Sequence, residues 1–174
     1  MSLERLGERL QVLLGELEPG QGGEALDVLG CHSRIMSHQQ IVEQLLHETG
    51  ASRTTLRLDS PDAFFAVVAE ARAPGIRSIA DDTSIDLAAS PTFKFLERDQ
   101  DVLIQRDLLD ADPAPPPELI EHYGARAQML APIVRDGRLV GIVSVHYAAG
   151  PREWTNDDIA ALERAAGTVQ DSLV

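Results

Sequence analysis

The sequence predicts an α+β domain, with antiparallel strand pairs in the middle of the chain and helices at both ends. Three observations carry this. Asp136-Gly137 sits between two apolar runs, a strong short-range hairpin signal. A second pair of runs flanks the turn residues Ser60-Pro61-Asp62. The apolar spacing of the terminal segments has the three-to-four-residue period of helices, whereas Ser52 to Leu58 alternates with period two. A length of 174 residues suits one domain with a helical extension.

The elements follow in order. Leu3, Leu6, Leu10, Leu13 and Leu17 form an a/d seam that Pro19-Gly20 ends. So short a helix is marginal alone in water, and the seam packs either on its own domain or on a second subunit. Residues 1–20 are thus set apart as an amphipathic dimerisation candidate, and residues 21–174 as the domain proper. From about Glu24 to Glu48 the pattern is helical, in one piece or two. Its second half opens on a capping box, Ser37-x-x-Gln40, presents Ile41, Val42, Leu45 and Leu46 on one face, and ends at Gly50.

Ser52 to Leu58 then reads as a strand, and Phe64 to Arg72 as its return. The alanines of the second run would suit a helix, but the turn before it and Pro74-Gly75 after it favour a strand. Residues 76–128 are irregular. Within them Ser90-Pro91 should start a short helix to Arg98, Asp101 to Leu108 a short strand, and Pro117 a second short helix ending at Gly124. A stretch this long with little regular structure is usually functional. The Asp-Gly hairpin joins Gln128–Val134 to Leu139–Tyr147. Thr155-x-x-Asp158 then caps a final helix with Ile159, Leu162, Ala166, Val169 and Leu173 on one face.

Composition narrows the function. Fifteen Lys and Arg against 28 Asp and Glu give a net charge of −13, which argues against binding nucleic acid or anionic membranes. No run approaches the length of a membrane span, and the N-terminus lacks a signal peptide's basic and apolar regions. A cytoplasmic protein is expected. The single cysteine, Cys31, excludes an internal disulfide and reads as a small buried hydrophobe. No nucleophile elbow, phosphate loop or zinc-protease motif is present, and no two of the five histidines stand four apart. Asp81, Asp82 and Asp86 lack the spacing of a calcium loop and read as a solvated acidic turn. No metal or cofactor is expected.

Several side chains remain as candidates for a ligand site. Period two places Ser144 and His146 on one face of the last strand, opposite Val143, Val145 and Tyr147. That face is either a pocket wall or solvent. The same alternation applies to Arg53 and Arg57. Phe65, Phe93, Phe95, Tyr123 and Met129 supply bulk; Phe93 and Phe95 cannot share a helix face, so one enters the core and the other lines a cavity. Arg77, Lys94 and Arg106 are the nearby cations, either surface charges or counterions for an acidic ligand.

With this element order and the stretch Met129-Leu130-Ala131-Pro132-Ile133-Val134-Arg135-Asp136-Gly137-Arg138-Leu139-Val140-Gly141-Ile142-Val143-Ser144-Val145-His146, the chain resembles a GAF domain. Pro151-Arg152-Glu153-Trp154-Thr155 before Asp157-Asp158 is similar to that family's lead into its last helix. The resemblance implies a PAS-related central antiparallel sheet of about six strands. Helices cover one face, and a cassette of loops and short helices encloses a small-molecule pocket on the other.

It also implies a sensor that dimerises through terminal helices, which favours the dimer role of the leucine seam. Three departures limit the ligand. No cysteine follows residue 31 to attach a bilin, one cysteine cannot run a methionine-sulfoxide reductase cycle, and the cyclic-nucleotide signature is absent. Nothing is left over for a kinase, cyclase or DNA-binding domain, so the chain is free-standing or a fragment. The expectation is a non-enzymatic module that binds an unidentified small metabolite, forms a homodimer and signals to a protein partner. The alternatives are a small enzyme or enzyme accessory using His146 as an acid–base group, and a degenerate scaffold acting only by protein contacts.

Overall fold

A computed structural model describes residues 35–173. The seam of Leu3, Leu6, Leu10, Leu13 and Leu17, the boundary after residue 20, the helical reading from Glu24 and Cys31 all lie outside the described residues. The elements are α1 (His38–Thr49), β1 (Arg53–Ser60), β2 (Ala63–Arg72), α2 (Pro91–Asp99), β3 (Leu103–Gln105), α3 (Pro117–Glu121), β4 (Ala127–Arg135), β5 (Arg138–Tyr147) and α4 (Asn156–Ser172).

Local chemistry sets most of these boundaries. At α1 the Ser37 hydroxyl accepts the Gln40 N–H at 3.2 Å while the Gln40 side chain accepts the Ser37 N–H at 2.9 Å. Thr155 and Asp158 make the same reciprocal pair at α4. Ser90 stands at the start of α2, but its hydroxyl pairs with Thr92 at 2.7 Å instead of capping the helix. Between β4 and β5, Arg135 pairs with Arg138, which leaves a two-residue turn. Asp136 and Gly137 have φ of 51° and 73°, the type I′ geometry whose twist matches the flanking strands. Two expected elements are shorter: β3 has three residues, and α3 stops at Glu121 before Gly124.

All strand pairs are antiparallel, in the order β2-β1-β5-β4-β3, five strands among the described residues against the six or so that the resemblance implies. Register divides the side chains cleanly. Leu56, Met129, Ile133, Val143 and Val145 pack on one face with Ile41, Val42 and Leu45 of α1 and Leu162 and Val169 of α4. On the other face, Phe93 and Leu96 of α2 cover Leu103, Leu130 and Ile142.

Arg152 locks the helical layer at its corner. It donates to Thr49 O at 2.6 Å, pairs with the buried Asp158 carboxylate at 3.2 Å and stacks 4.5 Å from the Trp154 ring centroid. One side chain thus joins the end of α1 to the start of α4.

Gly141 marks the tightest strand approach. A Cβ there would stand 2.7 Å from Leu58 Cδ2 and 2.9 Å from Arg57 O, and the carbonyl belongs to a paired strand that cannot yield. Gly141→Ala should therefore lower stability by about 1–3 kcal/mol in urea denaturation. Gly167→Ala, on α4 with no atom within 4 Å of the new Cβ, should instead raise it by up to about 1 kcal/mol.

Candidate functional site

The second face of the sheet is unusual because its first row is polar and buried. Register places Arg53 opposite His146, His146 opposite Gln128, and Gln128 opposite Gln105, across four strands. These four are 1%, 4%, 1% and 4% exposed. In the next row Thr55 faces Ser144 and Ser144 faces Leu130; in the third, Arg57 faces Ile142.

Above these rows lies a cavity. Its polar lining comes from Arg57, Gln128, Ser144 and His146 on the sheet and Thr92 on α2. Its apolar lining includes Ile79, Ile85 and Leu87 of the segment between β2 and α2, Phe93 and Leu96 of α2, and Leu119 of α3. The volume is about 30 Å³, room for one or two water molecules. Arg57, Ile85 and Leu87 also line a wider groove on the outside, so they stand between the cavity and solvent.

Few of the polar groups are fully paired. Gln128 donates to Gln105 Oε1 at 2.6 Å, and Gln105 donates to Pro113 O at 2.6 Å. Gln128 Oε1, His146 Nδ1 and Thr55 Oγ1 are buried without a hydrogen-bond partner among the described residues. Arg57 donates to Phe65 O at 3.0 Å and has no carboxylate within ion-pair distance among the described residues. Arg53 is better held. Its Nε lies 3.3 Å from Glu70 Oε1, a charge contact without hydrogen-bond alignment, and its Nη2 donates to Arg77 O. Glu70 also takes the Ser78 hydroxyl at 2.5 Å and the Ile79 N–H at 3.0 Å, which docks the covering segment on the sheet.

The electrostatics follow from burial. Desolvation, with the positive charges of Arg53 and Arg57, holds the His146 imidazole down at about 3, so it is neutral near pH 7. Burial also lowers both guanidiniums from their usual value. At the cavity's flank the Tyr123 hydroxyl donates to Asp82, and Arg53 and Arg77 lie 5.2 and 5.4 Å from the Tyr123 ring centroid. Hydrogen bonds from Ser84, then Tyr123, hold Asp82 down at about 2; burial, then Asp82, raises Tyr123. Among the described residues no group of three His, Cys, Asp or Glu side chains could hold a metal.

Of the residues singled out in the sequence, Arg57, Phe93, Ser144 and His146 meet at the cavity. Tyr123 and Arg77 line the neighbouring groove with Asp82. Phe65 stacks on Phe93 with centroids 4.9 Å apart, at a bulge where its φ is 46°. With Phe65, Arg77 and Tyr123 outside its lining, three more do not belong to the cavity. Met129 pairs with Val145, and that parity turns it into the helix-side core. Phe95 is half-buried and packs beside the Phe93 cluster, because two positions along a helix rotate it off the cavity face. Arg106 is exposed and pairs with Glu153 at 3.2 Å. Gln128 and Gln105 were not legible as site residues singly. The signal for Gln128 is parity: with Met129 in the core, Gln128 must share the opposite face with Leu130.

No curated protein sequence matches the chain. Solved structures that resemble it include the cyanobacteriochrome TePixJ GAF domain, at 21% identity over 78% of this chain and 86% of that one, TM-score 0.66. The photoproduct state of GAF3 from Slr1393 of Synechocystis sp. PCC6803 matches at 16% identity over 78% and 90%, TM-score 0.66. The chromophore-binding domain of the bacteriophytochrome RpBphP3 from R. palustris matches at 23% over 78% and 53%, TM-score 0.62. At these identities the likeness establishes the fold. The GAF domain family model matches residues 37–173, nearly all of the described chain, and the protein belongs to the GAF domain family.

Proposed function

We propose that this GAF domain is a non-enzymatic sensor that binds a small molecule between the sheet and its covering segment and signals as a homodimer to a protein partner. The observation that supports binding most is that His146 Nδ1 and Gln128 Oε1 lack partners on the wall of a cavity. Leaving such a group unpaired costs about 1–3 kcal/mol, which a bound molecule with matching atoms removes. The related structures include chromophore-binding domains. A tetrapyrrole is not the proposed occupant here, because the cavity is about 30 Å³ and residues 35–173 contain no cysteine.

Signalling needs a ligand that distinguishes two arrangements of the covering segment, since equal affinity for both would shift nothing. The Leu3–Leu17 spacing supports a dimer as the carrier of that shift. The enzyme reading is weaker, because a buried imidazole held neutral and without a proton-relay partner is poorly matched to acid–base work near pH 7. A second reading, a scaffold with a filled pocket, draws support from the small cavity volume.

Native mass spectrometry separates these readings. The sensor reading predicts a dimer carrying extra mass that leaves on unfolding, and a monomer after deletion of residues 1–20. An apo species, even at saturating metabolite extract, favours the scaffold.

The imidazole supplies a pH test. A folded-state value near 3 against the ordinary 6.5 means that the unfolded chain binds the extra proton first, so stability is full above about pH 6.5 and falls below it. Between pH 7 and pH 5 this group should remove about 2 kcal/mol, and His146→Leu should flatten that limb of the urea-denaturation profile.

A further inference from the structure

The chain as a whole carries a net charge of −13, yet among the described residues Arg57 is the one Arg, Lys, Asp or Glu side chain that lines the cavity. Arg53 and Arg77 lie over the nearby Tyr123 ring, and the charges of Asp82 and Glu70 both act on Arg57 without contacting it. Glu70 is shared by Arg53 and Arg72, both at 3.3 Å. Asp82 is bound to Tyr123. Arg57 is left with one backbone acceptor, Phe65 O, and its guanidinium lines both the cavity and the outer groove. Asp81, Asp82 and Asp86 lie in that groove, not in the cavity, so they oppose arrival more than occupancy, although the Asp82 charge already acts on Arg57.

Hydrogen-bond capacity points the same way. Arg57 is donor-only, Ser144 and Thr92 offer hydroxyls, and a neutral imidazole presents one N–H. Among the described residues His146 Nδ1 has no partner and can offer its N–H in the tautomer that protonates it. Gln128 Oε1 is an acceptor that a carboxylate leaves unpaired, and the Gln128 amide already donates to Gln105. The remaining lining is aliphatic, with Phe93 at one side.

We propose that the cavity takes a small monocarboxylate with a compact apolar body, its carboxylate seated on Arg57 and within reach of Ser144 and His146. This rests on the sensor reading and names its ligand class. The carboxylate supplies the direct ion pair that Arg57 lacks among the described residues, its two oxygens suit the planar guanidinium fork, and the apolar body lies against Ile85, Leu87 and Leu130.

The test compares straight-chain carboxylates with their primary amides, on the full chain, by NMR titration that follows the His146 imidazole and the methyl groups of Ile85, Leu87 and Leu130. Formate and acetate match a cavity of about 30 Å³, and the longer acids up to hexanoate serve as size controls. At least one acid should bind tenfold or more tighter than its amide and shift the His146 ring resonances. Arg57→Lys, which keeps the charge but not the fork, should keep only part of that preference. Arg57→Met, checked for fold by its amide spectrum, should lose it. An amide that binds as well as its acid overturns the carboxylate assignment and leaves the sensor reading standing. So does an acid preference that survives in Arg57→Met. No response to any acid overturns the assignment too, and the sensor reading is then decided separately by the mass that the purified protein carries.

Discussion

The covered side of this domain depends on one buried ion pair. Arg53, 1% exposed at the first position of β1, is held by Glu70 from the neighbouring strand. The same carboxylate accepts Ser78 and Ile79, and Arg53 donates to Arg77 O and stacks on Tyr123. One pair therefore fixes the edge of the sheet, the start of the covering segment and the residue after α3. Taking away Glu70 would leave the buried Arg53 charge without its carboxylate, a loss of several kcal/mol in comparable sites, whereas Glu70 would keep Arg72 if Arg53 were removed. The closure of the cavity follows from the pair, because the Ile79 N–H donates to Glu70 and the Ile79 side chain lines the cavity.

That arrangement explains why the two faces of one sheet behave so differently. The face toward α1 and α4 is an ordinary apolar core and needs nothing further. The face toward α2 and α3 buries Arg53, His146, Gln128 and Gln105 in a single row, and low dielectric raises the stakes for every unpaired atom there. A fold optimised for stability alone would replace such atoms with apolar ones. Their retention beside a cavity is what the proposed ligand site rests on.

Much of the architecture was legible because local signals agreed. Asp136-Gly137, the capping boxes at Ser37 and Thr155, and the alternation of Val143 and Val145 each correspond to an observed element. Ser144 and His146 were legible as a pair by parity, and Arg57 by the same rule on β1. What escaped is what depends on register between strands. Nothing local to Gln128 announces that it will stand between His146 and Gln105, and nothing around Met129 shows that its face is the helical one until β5 is aligned beside it. Arg106 failed for a different reason: Glu153, 47 residues away, claims its charge at the surface.

The central claim is that the unpaired polar atoms on the cavity wall serve a ligand and not the stability of the fold. His146→Leu, unfolded in urea at pH 7.5 where the imidazole is neutral in both states, tests it most directly. The account predicts stability equal to or above that of the native chain, because an unsatisfied buried nitrogen is exchanged for apolar contact. A loss of more than about 2 kcal/mol would contradict it and make the imidazole a structural hydrogen-bonding group.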